Sequence, residues 1–148
     1  MTDLGLSRQF LGIDIEQLPE KIRIGQRHFV ESVLRRFSRG DCHVIWTPLQ
    51  IRPSLEFEPL APEDQQLYQS LVGSIMYLML GTRPDLAFTI SLLSKFSASA
   101  GSEHLVQAKR VLRYLKQTRD IKLCYRRSET SLDRSQGILG LRLGRGCR

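Results

Sequence analysis

The residues best suited to bind a charged ligand are basic and lie in the second half of the chain. Lys109, Arg113 and Lys116 are spaced four and three residues apart, so on a helix they share one face. Such side chains neutralise nucleic-acid phosphates without reading sequence, although a merely solvated basic face is the alternative. Arg83 is a fourth candidate phosphate ligand, and its alternative is an ion pair with Asp85.

The charge distribution points to the same half. The net charge of +7 comes from 22 Lys/Arg and 15 Asp/Glu in 148 residues. Residues 1–64 hold eight basic and ten acidic side chains, a balance of −2, whereas residues 65–148 hold fourteen and five, a balance of +9. This asymmetry is typical of a surface that meets phosphates. A merely solvated basic face accounts for the asymmetry about equally well, so charge alone leaves both interpretations open.

The patterns of common catalytic and cofactor sites are missing. The sequence has no glycine-rich phosphate loop, no His-Glu-x-x-His zinc motif and no Gly-x-Ser-x-Gly elbow. A two-metal polymerase needs carboxylates that hold ions about 3.5–4 Å apart. The one adjacent acidic pair, Glu63-Asp64, follows Pro62 where a helix begins. We therefore expect no catalytic residue, no metal and no cofactor in the isolated chain.

Hydrophobic patterning predicts an α+β fold. Phe10–Glu16 and Lys21–Gly25 alternate apolar and polar residues, which predicts a β-hairpin. From Gln26 the period becomes helical and ends at Gly40. Residues 41–62 contain four prolines and are interpreted as an extended connection, against which Trp46 is expected to pack.

Residues 63–125 are predicted to form three helices and a strand, Ile121–Tyr125. The helices run from about Glu63 to Leu80, from Arg83-Pro84-Asp85 onward, and from Ser102 as N-cap to about Thr118. Their expected buried faces are Leu67, Leu71, Ile75 and Leu78, then Leu86, Ile90, Leu93 and Phe96, then Leu105, Ala108, Val111, Leu112 and Leu115. Residues 126–148 lose both periodicities, which predicts a degenerate, disordered tail.

Aromatic and histidine side chains are expected to be structural. Tyr68, Tyr77 and Tyr114 could stack on bases, but all three lie on apolar-periodic helices, which favours a half-buried core position. His104, near the start of the last helix, is expected to pack or cap.

No membrane segment or secretion signal is expected. The longest apolar stretch is far shorter than the roughly 20 residues that span a bilayer. Residues 1–10 carry Asp3 and Arg8 and lack the apolar core of a signal peptide. These features favour an intracellular location without a membrane partner.

Segments in order along residues 2–125 resemble the reverse transcriptase of Ty1/copia-type retrotransposon Pol polyproteins. The matching segments are Asp3-Leu4-Gly5, Phe10-Leu11-Gly12-Ile13-Asp14-Ile15-Glu16, Gln26, Phe29-Val30, Leu34 to Phe37, Asp41-Cys42, Thr47-Pro48-Leu49, Tyr68, Leu71-Val72-Gly73-Ser74, Tyr77-Leu78, Thr82-Arg83-Pro84-Asp85, His104, residues 108–116 and Thr118.

The resemblance implies a truncated, non-catalytic part of an RNA-directed DNA polymerase, between the catalytic Asp-Asp motif and RNase H. Phe10, Leu11 and Gly12 would then be similar to the primer grip, and the later helices to the thumb and connection. At most weak template-primer binding is implied, with the remaining parts of the polyprotein as partners when co-expressed. Two other interpretations remain open, a domesticated basic module that binds nucleic acid or protein, and a relic reading frame without function.

The tail departs from the family at the place where RNase H should begin. The family continues with Gly-Tyr/Phe-Ser-Asp-x-Asp-Trp-Ala-Gly, whereas residues 137–145 read Gly-Ile-Leu-Gly-Leu-Arg-Leu-Gly-Arg. One set of synonymous codons that can encode this segment is GGG ATT CTC GGA CTC AGA CTG GGC CGG, followed by G. Read one nucleotide later, they encode Gly-Phe-Ser-Asp-Ser-Asp-Trp-Ala-Gly. We interpret the tail as the product of a frameshift.

Sequencing the locus tests the frameshift. The alternate frame past Ser135 is expected to encode the aspartate-bearing motif. A different sequence in that frame would refute the interpretation.

Overall fold

Strands form where the sequence alternates at period two, and helices form where apolar residues recur every three or four positions. The computed structural model describes residues 8–37, 45–50, 58–126 and the backbone of 142–144. The elements are β1 (Gln9–Phe10), β2 (Ile13–Leu18), β3 (Lys21–Gly25), α1 (Arg27–Phe37), α2 (Pro62–Gly81), a 3-10 turn (Pro84–Leu86), α3 (Ala87–Ser94), α4 (Ser102–Gln117), β4 (Lys122–Arg126) and β5 (Arg142–Gly144). The predicted α+β class is confirmed.

The strands form an antiparallel sheet in the order β1-β2-β3-β4-β5. Ile15 lies opposite Ile24, and Ile24 lies opposite Leu123, so these three apolar side chains share one face. The predicted hairpin is confirmed as β2 and β3, and the predicted strand after the last helix is β4. The chain therefore returns to β3 only after all four helices.

The expectation of a disordered tail is wrong at the three residues of β5, Arg142–Gly144. Its backbone pairs with β4, with Leu143 opposite Leu123. The outer edge of a strand offers unpaired N–H and C=O groups, which can bond an extended segment whatever its side-chain pattern. Arg126, the first residue of the predicted tail, ends β4, and residues 127–141 and 145–148 lie outside the described residues.

The helices bury a continuous apolar core. The buried faces expected for α3 and α4 are confirmed, with Phe96 partly buried. In α2 the expectation is wrong at Leu67, which is exposed, while Tyr68 is fully buried. The Tyr68 hydroxyl donates a 2.6 Å hydrogen bond to the Leu93 carbonyl, which allows a tyrosine to occupy the core position. Burial raises the pKa of Tyr68 to about 12.

The N-cap of α4 is Gly101, so the prediction of Ser102 is wrong by one residue. The Gly101 N–H donates to Nδ1 of His104 over 2.9 Å, and this bond fixes the start of the helix. The imidazole also stacks on Phe96, with ring centroids 3.9 Å apart. Burial lowers the pKa of His104, which keeps Nδ1 an acceptor. The expected packing or capping role of His104 is confirmed.

Arg83 joins the end of α2 to the end of α4. Only 1% of the residue is exposed. Its Nε and Nη2 donate to the two carboxylate oxygens of Asp85, over 3.0 and 2.8 Å. Nη1 donates to the Thr118 carbonyl over 3.0 Å, and Nη2 donates to the Thr118 hydroxyl over 2.7 Å. The Tyr114 hydroxyl completes the network with a 2.8 Å bond to Asp85.

A second buried contact fastens the sheet to α2. Gln26 follows β3 directly, and its Oε1 accepts a 2.9 Å hydrogen bond from the Thr82 hydroxyl. The amide lies so close to Gly81 that a Cβ there would clash with it. Glycine at this position therefore allows β3 and α2 to approach each other.

Replacing Asp85 by Asn should destabilise the protein in a pH-dependent way. Burial alone would raise the pKa of the Asp85 carboxyl, but hydrogen bonds from Arg83 and Tyr114 and the Arg83 charge outweigh it, so its pKa lies below the ordinary value. A lowered pKa stabilises the fold above the unfolded-state pKa of about 3.9, and this contribution disappears as pH falls through the folded-state value. At pH 7, Asp85→Asn should cost about 3–5 kcal/mol, because it leaves a buried guanidinium charge uncompensated.

Urea denaturation at pH 7, repeated at successively lower pH below about 4, measures this effect. The difference in the free energy of unfolding between wild type and Asp85→Asn should narrow as the pH falls. Asp120→Asn is the control, since Asp120 pairs with Arg27 on an exposed surface and should matter much less. If Asp85→Asn and Asp120→Asn lowered the free energy of unfolding equally at pH 7, the importance of the buried Arg83–Asp85 pair would be contradicted.

Candidate nucleic-acid interface

The outer face of α4 carries the predicted basic residues. Leu105, Ala108 and Leu112 turn inward to the core, which leaves the opposite side of the helix to solvent. Lys109, Arg113 and Lys116 are all exposed there. We call this set the basic ladder. The structure therefore brings the three predicted side chains onto one accessible face.

Two cations of the basic ladder differ from several other basic groups of the described ranges in having no carboxylate partner. Elsewhere in the described ranges several cations are paired: Arg83 with Asp85, Arg27 with Glu31 and Asp120, and both Arg23 and Lys122 with Glu16. Within the same ranges, neither Lys109 nor Arg113 has a carboxylate partner. The one acidic residue of α4, Glu103, lies in its first turn. The positive charges of Lys109 and Arg113 are therefore available to an external anion.

Arg83 does not belong to this surface, although the sequence predicted it as a candidate phosphate ligand. The side chain is buried, and its guanidinium makes four hydrogen bonds to Asp85 and Thr118. The predicted alternative, an ion pair with Asp85, is the one the structure shows. The short spacing between the two residues lets the carboxylate meet the guanidinium with both oxygens.

Phe10, Leu11 and Gly12 form the tip of the β1–β2 hairpin. The predicted strand from Phe10 to Glu16 is interrupted here, because Leu11 and Gly12 have positive φ values of 47° and 72°. Positive φ at both central residues is the geometry of a type I′ turn, and it costs a leucine about 1–2 kcal/mol. The Tyr77 hydroxyl donates to the Leu11 carbonyl and so holds the turn.

The tip is exposed and apolar. Phe10 is 62% and Leu11 is 73% exposed. Tyr77, which holds the tip, meets the ring of Phe29 edge-on with centroids 4.7 Å apart. Tyr77 is 41% exposed, so it is less buried than Tyr68 or Tyr114. These residues place the tip against α2, whereas the basic ladder lies on α4.

Part of the proline-rich connection lies along the flank of α4. Nη2 of Arg110 donates to the Thr47 hydroxyl over 2.9 Å, and the Gln50 N–H donates to Oε1 of Gln107 over 3.2 Å. Sequence reasoning missed Gln107 and Arg110. Both occur on a polar helix flank, and no local pattern indicates which distant segment they bind.

Within the described ranges, no group of three or more His, Cys, Asp and Glu side chains could hold a metal ion. In the same part of the chain, no helix is both long and apolar enough to cross a membrane.

Comparison with known proteins identifies relatives among plant and yeast transposons. The chain is 36% identical over 141 residues to a retrovirus-related Pol polyprotein from transposon TNT 1-94 of Nicotiana tabacum, covering 89% of this chain and 11% of that protein. It is 34% identical over 107 residues to the Pol polyprotein from transposon RE1 of Arabidopsis thaliana, covering 72% and 7%. It is 35% identical over 129 residues to a putative transposon Ty5-1 protein of Saccharomyces cerevisiae, covering 85% and 42%.

The chain spans less than half the length of each of these relatives. No protein-family model and no solved structure matches it. The similarity nevertheless extends over most of the chain in each comparison, at 34–36% identity. The protein therefore belongs to the Ty1/copia-type retrotransposon Pol polyproteins.

Proposed function

We propose that this region of a Ty1/copia-type Pol polyprotein is a non-catalytic nucleic-acid-binding part of the reverse transcriptase, and that the basic ladder binds template-primer phosphates. The observation that carries the proposal is the exposure of Lys109 and Arg113 without a carboxylate partner in the described ranges. Cations on a rigid helix face suit a regularly charged backbone, because the core on the opposite face fixes their spacing.

The binding is expected to be weak and largely independent of sequence. Phosphate contacts release counterions, and the logarithm of the binding constant falls with the logarithm of salt by about 0.9 for each phosphate contacted in duplex DNA. Three cations therefore support a slope of up to about −3. Lysine and arginine that contact phosphates set position and affinity, whereas sequence discrimination requires contacts to base edges.

The hairpin tip supports the same function in a second place. Phe10 and Leu11 present an exposed apolar end on a turn that Tyr77 holds in shape. A fixed apolar tip is suited to pack against sugar and base surfaces, as the resemblance to the primer grip implies. We assign it the secondary role, because it carries no charge that could attract phosphates.

Replacing Lys109, Arg113 and Lys116 together by Ala should flatten the salt dependence of binding. Each lost phosphate contact reduces the slope by about 0.9 in duplex DNA. Fluorescence anisotropy of a labelled primer-template duplex, measured over a series of salt concentrations, gives the slope. The control is the triple variant of Arg8, Lys95 and Arg126 to Ala, which removes the same charge from exposed positions outside α4.

The control variant should keep most of the wild-type slope. Equal slopes in the two triple variants would attribute binding to net charge alone. An unchanged slope in the α4 variant would show that the basic ladder is a solvated face.

The isolated chain should not extend a primer with either Mg²⁺ or Mn²⁺. Nucleotide transfer needs paired carboxylates for the metal ions, and the sequence has no such pair outside the helix start at Glu63-Asp64. The test is template-dependent nucleotide incorporation by purified protein, compared with a tag-only preparation and an active reverse transcriptase. Incorporation above the tag-only level would refute the proposal that the chain is non-catalytic.

A further inference from the structure

We propose that Trp46 forms a stacking site for a base of single-stranded nucleic acid whose phosphates lie on the basic ladder. This proposal rests on the proposed function, since it assigns the ladder a strand with an accessible base. The motivating observation is that 67% of Trp46 is exposed, although tryptophan is on average a well-buried residue. Most of the surface of this residue is therefore accessible to solvent.

The position of Trp46 is set by the segment that contains it. Its neighbour Thr47 accepts the 2.9 Å hydrogen bond from Arg110, and Gln50 donates to Gln107 over 3.2 Å. These two bonds fasten residues 47–50 to the flank of α4. Because consecutive Cα atoms are about 3.8 Å apart, the backbone of Trp46 is held close to the same flank.

The anchor residue lies within the helix that carries the cations. Arg110 follows Lys109 directly and precedes Arg113 by three positions. Residues three apart on a helix have Cβ atoms about 5–6 Å apart. The segment that carries the indole is therefore bonded to α4 beside two cations that have no carboxylate partner in the described ranges.

An aromatic ring beside a basic track is the arrangement by which proteins bind single strands without strong sequence preference. The cations hold the backbone, and each base can stack on the ring because every base has a π-face. In a duplex the bases are already paired and stacked, so one must leave the helix before it reaches the indole. The site therefore predicts a preference for single-stranded nucleic acid at the indole, whereas the ladder alone tolerates both forms.

Trp46 provides its own optical probe, because it is the one tryptophan among the 148 residues. The experiment titrates the full chain with labelled oligodeoxythymidylate of about 12 nucleotides, a length within the usual single-strand site size. Label anisotropy measures binding, and tryptophan emission of the same samples measures contact with the indole. A duplex of equal length is the second ligand. The expected result is quenched tryptophan emission with the single strand and little change with the bound duplex.

Variants separate stacking from charge. Trp46→Ala should weaken single-strand binding by about tenfold, which lies in the lower half of the range for loss of one stacked base. Trp46→Phe keeps a ring and should retain most of the affinity. Phe88→Ala is the matched control, since Phe88 is 73% exposed and lies on α3. It should bind the single strand as wild type does.

The outcomes distinguish this inference from the proposed function. Binding of the single strand with unchanged tryptophan emission, or with equal affinity in Trp46→Ala, overturns the stacking site and leaves the ladder in place. Equal quenching by duplex and single strand overturns the selectivity for an accessible base. Absence of binding to either ligand at low salt overturns both the stacking site and the proposed function.

Discussion

The fold depends on one buried cation. Arg83 places a guanidinium in the interior, and an unpaired charge there would be strongly unfavourable. Asp85 supplies the opposite charge and Thr118 supplies two further oxygen acceptors. Because Thr118 follows α4 and Asp85 lies after α2, the guanidinium can be satisfied only when the ends of the two helices meet. This requirement fixes the direction of α4 and the point from which the chain enters β4.

The consequence extends to both candidate binding surfaces. The orientation of α4 decides that the basic ladder faces outward, and the position of β4 decides where β3 and its neighbour β2 lie. Gln26 and Thr82 add a second link between the sheet and α2, one residue before Arg83. The hairpin tip then reaches Tyr77 on α2. The surface geometry thus follows from a small number of buried polar contacts.

Patterns of single elements were predictable from the sequence, whereas contacts between elements were not. The helical stripes of α3 and α4 and the hairpin of β2 and β3 follow from local periodicity, which depends on residues close in the chain. The burial of Tyr68 in place of the predicted Leu67 depends on a hydrogen bond to the Leu93 carbonyl, which lies 25 residues from Tyr68 in the chain. The contact of Thr47 with Arg110 spans 63 residues, and no local pattern encodes it.

The candidate site shows the same division. The spacing of Lys109, Arg113 and Lys116 was sufficient to place them on one face, because they lie on one helix. Spacing could not show that Arg83 is buried. Its two predicted roles, a contact to a phosphate and an ion pair with Asp85, both require a positively charged side chain at this position. Several segments that carry the family resemblance also prove to be structural: Gln26, Thr82, Arg83, Asp85, Tyr114 and Thr118 all take part in buried or partly buried hydrogen bonds between elements.

Buried and exposed cations differ in how readily the sequence can change at their positions. Lys109 and Arg113 lie opposite the buried side of α4, so their charges can be altered with little effect on packing. The charge of Arg83 cannot be removed in this way, because its loss would leave the Asp85 carboxylate without its partner. A sequence can therefore keep the buried contacts of Arg83 while the charge of the exposed face of α4 varies. Similarity to transposon polyproteins consequently bears on the buried contacts more directly than on the charge of the exposed face of α4.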